Sequence, residues 1–335
     1  MMHGLIIGKF LPYHAGHAHL IRAARARVDR LTVLVCSIAA EPIPGGVRHR
    51  WMHGEHPDCT VLHVSEELPQ TPEEHPSFWA RWLDVIARHA GHVDVVFTSE
   101  MYGDELAARL GARHDCVDLA RHTVPISGSA IREDPMATWD FLPRAARPWF
   151  ARRVVLLGPE SSGKTTLART LAEEFETVWV PEYGREYCEA GRPALDLTLP
   201  DFEAIAWGQA AMEDAAVFDA NRLLICDTDL LTTCTWSDLI LDARPAWLTQ
   251  AARSRHYDLA LLLDGDVPWV DDGTRVLDMR RAEHSRRLRA ELRAAHQPYV
   301  RLGGTFAERT ATAIERVRSL LTAHAEKAAL VAPLR

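Results

Sequence analysis

The chain has 335 residues, more than one typical domain holds, and its length favours two. Its 47% hydrophobic and 25% charged residues are those of an ordinary folded protein. A net charge of -8 excludes a general nucleic-acid binder, which needs a basic face, and leaves room for local basic sites that hold phosphorylated ligands.

The six cysteines, Cys36, Cys59, Cys116, Cys188, Cys226 and Cys234, form no C-x-x-C pair, which predicts reduced thiols in a cytoplasmic protein. No apolar run approaches the roughly 20 residues that span a bilayer, so no membrane partner is expected. The start, MMHGLIIGKF, has no basic segment leading into a long apolar core and is not read as a secretory leader.

In chain order, Leu5–Gly8 is the first predicted strand, and Pro12 and Gly16 mark a tight turn into a helix at about His17. Strands follow at Leu31–Ile38, Thr60–Val64 and Val93–Ser99, with an amphipathic helix over Pro76–Ala90. The stretch Glu133–Arg152, rich in proline, arginine and aromatics, reads as a packed connection between domains. A second alternation then runs through strands Arg153–Gly158, Thr177–Glu182, Arg222–Asp229, Tyr257–Asp264 and Pro298–Gly304. Its helices are expected from Lys164, near Phe202–Phe218, and over Phe306–Lys327. Strand–helix alternation of this kind predicts an α/β protein with two doubly wound parallel sheets, divided into residues 1–150 and 151–330.

The segment Gly158-Pro-Glu160-Ser161-Ser162-Gly163-Lys164-Thr165 fits G-x-x-x-x-G-K-[ST] between a strand and a helix. Its glycines let several backbone N–H groups point at one anion, and the helix N-terminus adds a positive dipole end. Lys164 is expected on the β- and γ-phosphates of ATP, Thr165 on Mg²⁺, and Thr166 beside the phosphates. Asp227, directly after an apolar strand, is the candidate acidic partner for Mg²⁺, with Asp229 two residues on; solvated turn residues are the alternative. Glu182 is placed to take a proton from an acceptor hydroxyl, with an ordinary ion pair to Arg185 as the competing reading. Trp269–Leu288 is crowded with arginines and is read as a lid, in which Arg275, Arg280 and Arg281 neutralise phosphoryl charge or else are plain surface residues.

His14, His17 and His19 raise a choice between metal and phosphate. No carboxylate or cysteine is near in sequence, whereas the strand, turn and helix N-terminus again form an anion cradle, so phosphate is favoured.

The run Gly8-Lys9-Phe10-Leu11-Pro12-Tyr13-His14-Ala15-Gly16-His17 resembles the signature of the H-x-G-H nucleotidyltransferase superfamily. Its second signature resembles Ile126-Ser127-Gly128-Ser129-Ala130-Ile131-Arg132, whose serines and arginine would grip ATP phosphates. Phe97-Thr98-Ser99-Glu100-Met101-Tyr102-Gly103 resembles adenylyltransferases acting on nicotinamide mononucleotide (NMN). With the P-loop, PEYGREY, CDTD and PWVDDGTR, the chain resembles the bifunctional NadR-type family over roughly residues 3 to 320. The resemblance implies a Rossmann-like nucleotidyltransferase domain followed by a P-loop kinase domain. It implies nicotinamide riboside, ATP, NMN and NAD as ligands, with Mg²⁺ as cofactor. His14, His17, Lys9 and Arg132 would act in adenylyl transfer and Gly8 and Phe10 in ATP binding; Ser99, Glu100 and Tyr102 would meet one substrate and Asp229 the other. An aromatic face suits the flat cationic nicotinamide ring, and Tyr102 and Trp51 in the first domain and Trp236 in the second are candidates for it, with plain core packing as the alternative.

Some members of that family carry a DNA-reading helix-turn-helix; this chain enters its first strand at about Leu5, so repressor activity is not expected. A coenzyme-A-type adenylyltransferase–kinase fusion and an NAD- or ATP-sensing regulator remain the alternatives. The oligomeric state is left open, a homo-oligomer included.

Overall fold

A computed structural model describes residues 1–191, 193–266 and 280–322. The described residues divide into two compact units, Met1–Arg147 and residues 148–322. Among the described residues no helix is long and apolar enough to cross a membrane.

The first unit is built on five parallel strands: β1 (His3–Gly8), β2 (Arg30–Cys36), β3 (Thr60–Val64), β4 (Val95–Thr98) and β5 (Arg113–Cys116), in the order β3-β2-β1-β4-β5. β1 pairs with β2 from His3 opposite Arg30 to Gly8 opposite Val35, and on its other side Gly4 faces Val95. The chain therefore winds outward in both directions from β1. In such a sheet the crevice at the carboxyl ends, where strand order reverses, is where ligands bind. Leu5, Leu34 and Val96 are buried in the core beneath the helix Phe78–His89, which contributes Val85 and Ile86 and lays Trp79 and Trp82 against them. β5 has no apolar pattern in RHDC. It is a strand because β4 offers it a free edge, with Val95 facing Arg113, a pairing that periodicity does not encode.

The second unit has β6 (Arg152–Leu157), β7 (Trp179–Val180), β8 (Leu223–Cys226), β9 (Leu259–Leu263) and β10 (Tyr299–Leu302), ordered β10-β9-β6-β8-β7 and all parallel. Val154, Leu156, Ile225 and Leu261 fill the centre, against Leu167 and Leu171 of the helix Lys164–Glu174. The strand expected over Thr177–Glu182 shrinks to Trp179–Val180, and Glu182 instead occupies the N-cap position of the helix Tyr183–Glu189. The long helix begins at Leu199, earlier than the apolar pattern suggests, because Thr198 and Asp201 form a capping box: the Asp201 carboxylate accepts the Thr198 N–H at 2.8 Å. The connecting stretch contains the short helices Trp139–Phe141 and Arg147–Phe150, and Trp139 is buried. Of the expected lid, residues 269–279, Arg275 among them, lie outside the described residues; the rest begins the helix Arg281–Ala294, which buries His284, Leu288 and Leu292. The last helix is described as Phe306–Thr322.

Two candidate phosphate-binding sites

The first site lies at the carboxyl end of β1. After Gly8 the backbone turns through Phe10, whose φ of 51° is left-handed, and reaches the helix Ala15–Arg25 through the N-cap His14. His14 Nδ1 accepts the Gly16 N–H at 3.1 Å, which leaves the ring proton on Nε2 and makes that nitrogen a donor. The His14 and His17 rings stack with centroids 3.7 Å apart. Burial, with Arg121 adding to it, lowers the His14 imidazole to about 4. Burial, then His14 and Arg121, pushes His17 well below the usual range. Both rings are therefore neutral donors at physiological pH, and His17 Nδ1 is buried without a hydrogen-bond partner. Among the described residues no group of three or more histidine, cysteine, aspartate or glutamate side chains gathers to hold a metal.

The fold brings the second sequence signature onto the first. Ser127 Oγ caps the helix Gly128–Glu133 by accepting the Ala130 N–H at 3.2 Å. Arg132 donates to the Leu11 carbonyl and, at 3.1 Å, to Ser129 Oγ. Gly128 sits so close to that carbonyl that an added Cβ would lie 2.5 Å from the Leu11 oxygen. The exposed Ser129 and Arg132 and the His14–His17 pair thus border one region although their sequence positions are far apart.

Lys9 is exposed and ion-paired with Glu41 at 3.4 Å, and Phe10 is buried with its ring edge on His17 at 4.9 Å. Tyr102 donates its hydroxyl to the Ile7 carbonyl at 2.9 Å, which places it at the β1–β4 crevice. Ser99 is half-buried beside it in sequence, and Glu100 is exposed, 3.8 Å from Arg121. Trp51 lies buried within the helix Gly45–Glu55. Two arginines here carried no sequence signal. Arg121 is placed by a left-handed turn near both histidines. Arg48, fully buried, donates to the carbonyls of Ile43 and Lys9 and to Glu41, and so braces the loop after β1.

The second site follows β6. Gly158 has φ 145°, and a Cβ there would meet the Leu263 carbonyl oxygen at 2.6 Å; Gly163 has φ 89° in open space. Ser161 is also left-handed, at φ 58°. Lys164 reaches back to the carbonyls of Gly158 and Pro159, each at 3.0 Å, the posture of an ammonium arched over its own loop. Thr165 Oγ1 donates to Asp227 Oδ2 at 2.5 Å. Asp227 is buried, its Oδ1 has no partner, and burial raises its carboxyl to about 6 against the pull of Lys164. Ser162 is buried with Oγ unpartnered, while Thr166 is exposed. Behind the loop, buried Arg309 donates to the Ser162 carbonyl at 3.1 Å and pairs with Asp266, a brace between the last helix and the P-loop that no motif announces.

A cleft of about 900 Å³, open solvent included, runs from Glu160 and Lys164 past Glu182, Arg185 and Thr228 to Phe202 and Trp236. Glu182 and Arg185 stand 4.0 Å apart. Asp229, buried rather than solvated, caps the helix Leu230–Leu241 by accepting the Thr232 N–H at 2.8 Å, and burial raises it to about 6. Trp236 lies against buried His284, the rings tilted by 33° with centroids 4.6 Å apart. Arg280 donates to the Leu239 carbonyl at 2.6 Å, and Arg281 Nη2 lies beside Gly265 near Pro159.

Fold and sites together define a two-unit α/β protein with a Rossmann-type cradle built on neutral histidines and a P-loop cradle built on a lysine and a buried aspartate. The model of an AAA domain matches residues 153–309. The trifunctional NAD biosynthesis/regulator protein NadR of Escherichia coli K12 is 31% identical over 295 residues, covering 82% of this chain and 72% of that protein. Its counterpart from Salmonella typhimurium LT2 is 31% identical over 294 residues with the same coverage. The chain belongs to the NadR family. A crystal structure of NadR protein in complex with NR superimposes with a TM-score of 0.81 at 22% identity, covering 96% of both chains. Another, with NAD and AMP-PNP, gives 0.78 at 23% identity and 96% of both chains. At those identities the two structures show the shared fold.

Proposed function

We propose that this chain is a bifunctional NAD-biosynthetic enzyme working in the cytoplasm. The C-terminal unit, about residues 151–330, phosphorylates the 5′-hydroxyl of nicotinamide riboside with ATP. The N-terminal unit, about residues 1–150, joins the resulting NMN to the adenylyl group of a second ATP, giving NAD and pyrophosphate. The observation that carries the reading is the presence, in one NadR-family chain, of two separate phosphate cradles with different chemistry: His14 with His17, and Lys164 with Thr165 and Asp227.

Adenylyl transfer needs no enzyme nucleophile, because the phosphate monoester attacks directly. The protein has to align it and stabilise charge on the α-phosphate and the leaving pyrophosphate. The Nε2–H of His14 and the ring of His17 supply neutral donors, and Lys9, Ser127, Ser129 and Arg132 border the same region. Tyr102, with Ser99 and Glu100, belongs to the segment that meets the nicotinamide nucleotide.

In the kinase unit the acceptor hydroxyl must lose a proton. Glu182, which lines the cleft, is the proposed base. Asp227 and Thr165 fit Mg²⁺: both offer hard oxygen atoms, and the buried Oδ1 of Asp227 is unpartnered. When bound, the ion neutralises phosphate charge. Lys164 and the backbone from Gly158 to Gly163 hold the β- and γ-phosphates, and Arg280 and Arg281 stand at the start of the helix Arg281–Ala294. Trp236, at the apolar end of the cleft, offers a face to the cationic ring.

Incubating the purified protein with nicotinamide riboside and MgATP, while following NMN and NAD separately, tests the scheme. Successive appearance of both products is expected. Phosphorylation of dephospho-coenzyme A in preference to the riboside, or ATP binding without turnover, would replace it.

A further inference from the structure

Gln209 has no part in the chemistry above, yet its placement is specific. It lies on the helix Leu199–Ala216, is 1% exposed, and lines the cleft together with Glu182 and Thr228. Its Oε1 accepts the Tyr183 N–H at 2.9 Å. The neighbouring Gly208 receives the Tyr183 ring so closely that an added Cβ would lie 2.1 Å from it. These two contacts hold the segment carrying Glu182 and fix which way the amide faces, because turning it over would set an NH₂ group against an N–H. Nε2 is left buried without an acceptor. A buried donor in that state is rare and unfavourable, and an oxygen brought by a ligand would satisfy it.

The position along the cleft restricts which oxygen that is. Glu182 precedes Tyr183, is close enough to Asp227 to raise its carboxyl, and Asp227 holds the P-loop Thr165. Gln209 therefore stands near the phosphoryl-transfer end. The flat base suits the apolar cluster of Leu197, Phe202 and Ile205 with Trp236 and Ile240 packed on it. The part of an acceptor nucleoside between its reacting 5′-oxygen and its base is the sugar.

We infer that Gln209 is a specificity residue whose Nε2 donates to a ribose hydroxyl oxygen of the acceptor, so that the kinase unit selects ribosides over deoxyribosides. The inference rests on the kinase reading above. Gln209→Glu keeps an acceptor for the Tyr183 N–H and removes the donor; Gln209→Met removes both. Steady-state kinetics of the full-length protein are measured with nicotinamide riboside and its 2′-deoxy and 3′-deoxy analogues, varying MgATP in parallel. The wild type should prefer the riboside to one of the analogues by roughly tenfold or more in kcat/KM. In both variants KM for the riboside should rise roughly tenfold and that preference should collapse, with KM for ATP unchanged. Undiminished discrimination in the Glu variant, no discrimination in the wild type, or an equal rise in KM for ATP would overturn the assignment. A wild type that leaves nicotinamide riboside unphosphorylated would instead remove the kinase reading itself, and this inference with it.

Discussion

Both units turn a parallel strand into a helix at their candidate phosphate site, but they equip that turn in opposite ways. In the first, two imidazoles stacked 3.7 Å apart are kept neutral by burial and offer donors without charge. In the second, an ammonium is folded over its own loop and faces a buried carboxyl raised to about 6. The difference matches the two proposed reactions. A phosphate nucleophile is already anionic and is helped by alignment and modest donors, whereas a hydroxyl acceptor needs a base and a strongly neutralised triphosphate. On the proposed function, the same backbone device would serve two chemistries, with the side chains at its mouth deciding which.

The largest effect expected from breaking one cradle alone is at Lys164. Lys164→Ala should lower riboside phosphorylation by about a thousandfold while NMN adenylylation stays within about twofold, read by assaying each product from its own substrate. His17→Ala should do the reverse, with about a hundredfold loss of adenylyl transfer. Loss of both activities in a folded variant would mean that the cradles are not independent.

Acid should separate the units next. His14 ordinarily titrates near 6.5 and is lowered to about 4 in the fold, and His17 shifts in the same direction. Above 6.5 the ring is neutral folded or unfolded. Between 6.5 and about 4 the unfolded chain takes up the proton and the fold does not, so stability falls as pH falls through that window and levels off below it. The contribution from His14 is on the order of 3 kcal/mol. Denaturant melts of the first unit at several pH values should show this slope, and His14→Gln should reduce it, leaving the part that His17 contributes.

The glycines sharpen the comparison further. Gly158→Ala, with a left-handed φ and the Leu263 carbonyl 2.6 Å from the new Cβ, should cost about 2 kcal/mol or more in the second unit. Gly163→Ala, strained in φ but in open space, should cost about 1 kcal/mol. Equal losses in thermal unfolding would show that close backbone approach is not what constrains Gly158.

Much of this was legible in the chain. The P-loop was, because its lysine and hydroxyl must follow a glycine turn at a set spacing, and so was the strand before it. The sequence placed Thr165 and Asp227 each as a candidate Mg²⁺ ligand, whereas their hydrogen bond to one another comes from the fold. The polar edge strand Arg113–Cys116 was not legible, since its order comes from a partner's free edge. The helices over Gly45–Glu55 and Arg281–Ala294 were also missed, their charged and histidine-rich surfaces hiding the period. The apolar pattern puts Glu182 at a strand end, whereas β7 stops at Val180 and the residue caps a helix.

Local spacing by itself determined the alternating α/β elements and the two strand-to-helix turns that form the candidate phosphate sites, because those depend on contacts between near neighbours. Only the tertiary structure decided that Arg132 would close on Leu11, that Arg48 and Arg309 would brace the two loops from behind, and that Gln209 would face a cleft with an unmet donor. Such groups are held by carbonyls and carboxylates far away in the chain. Their roles arise from burial and hydrogen-bond completion, which exist only once the sheets have formed.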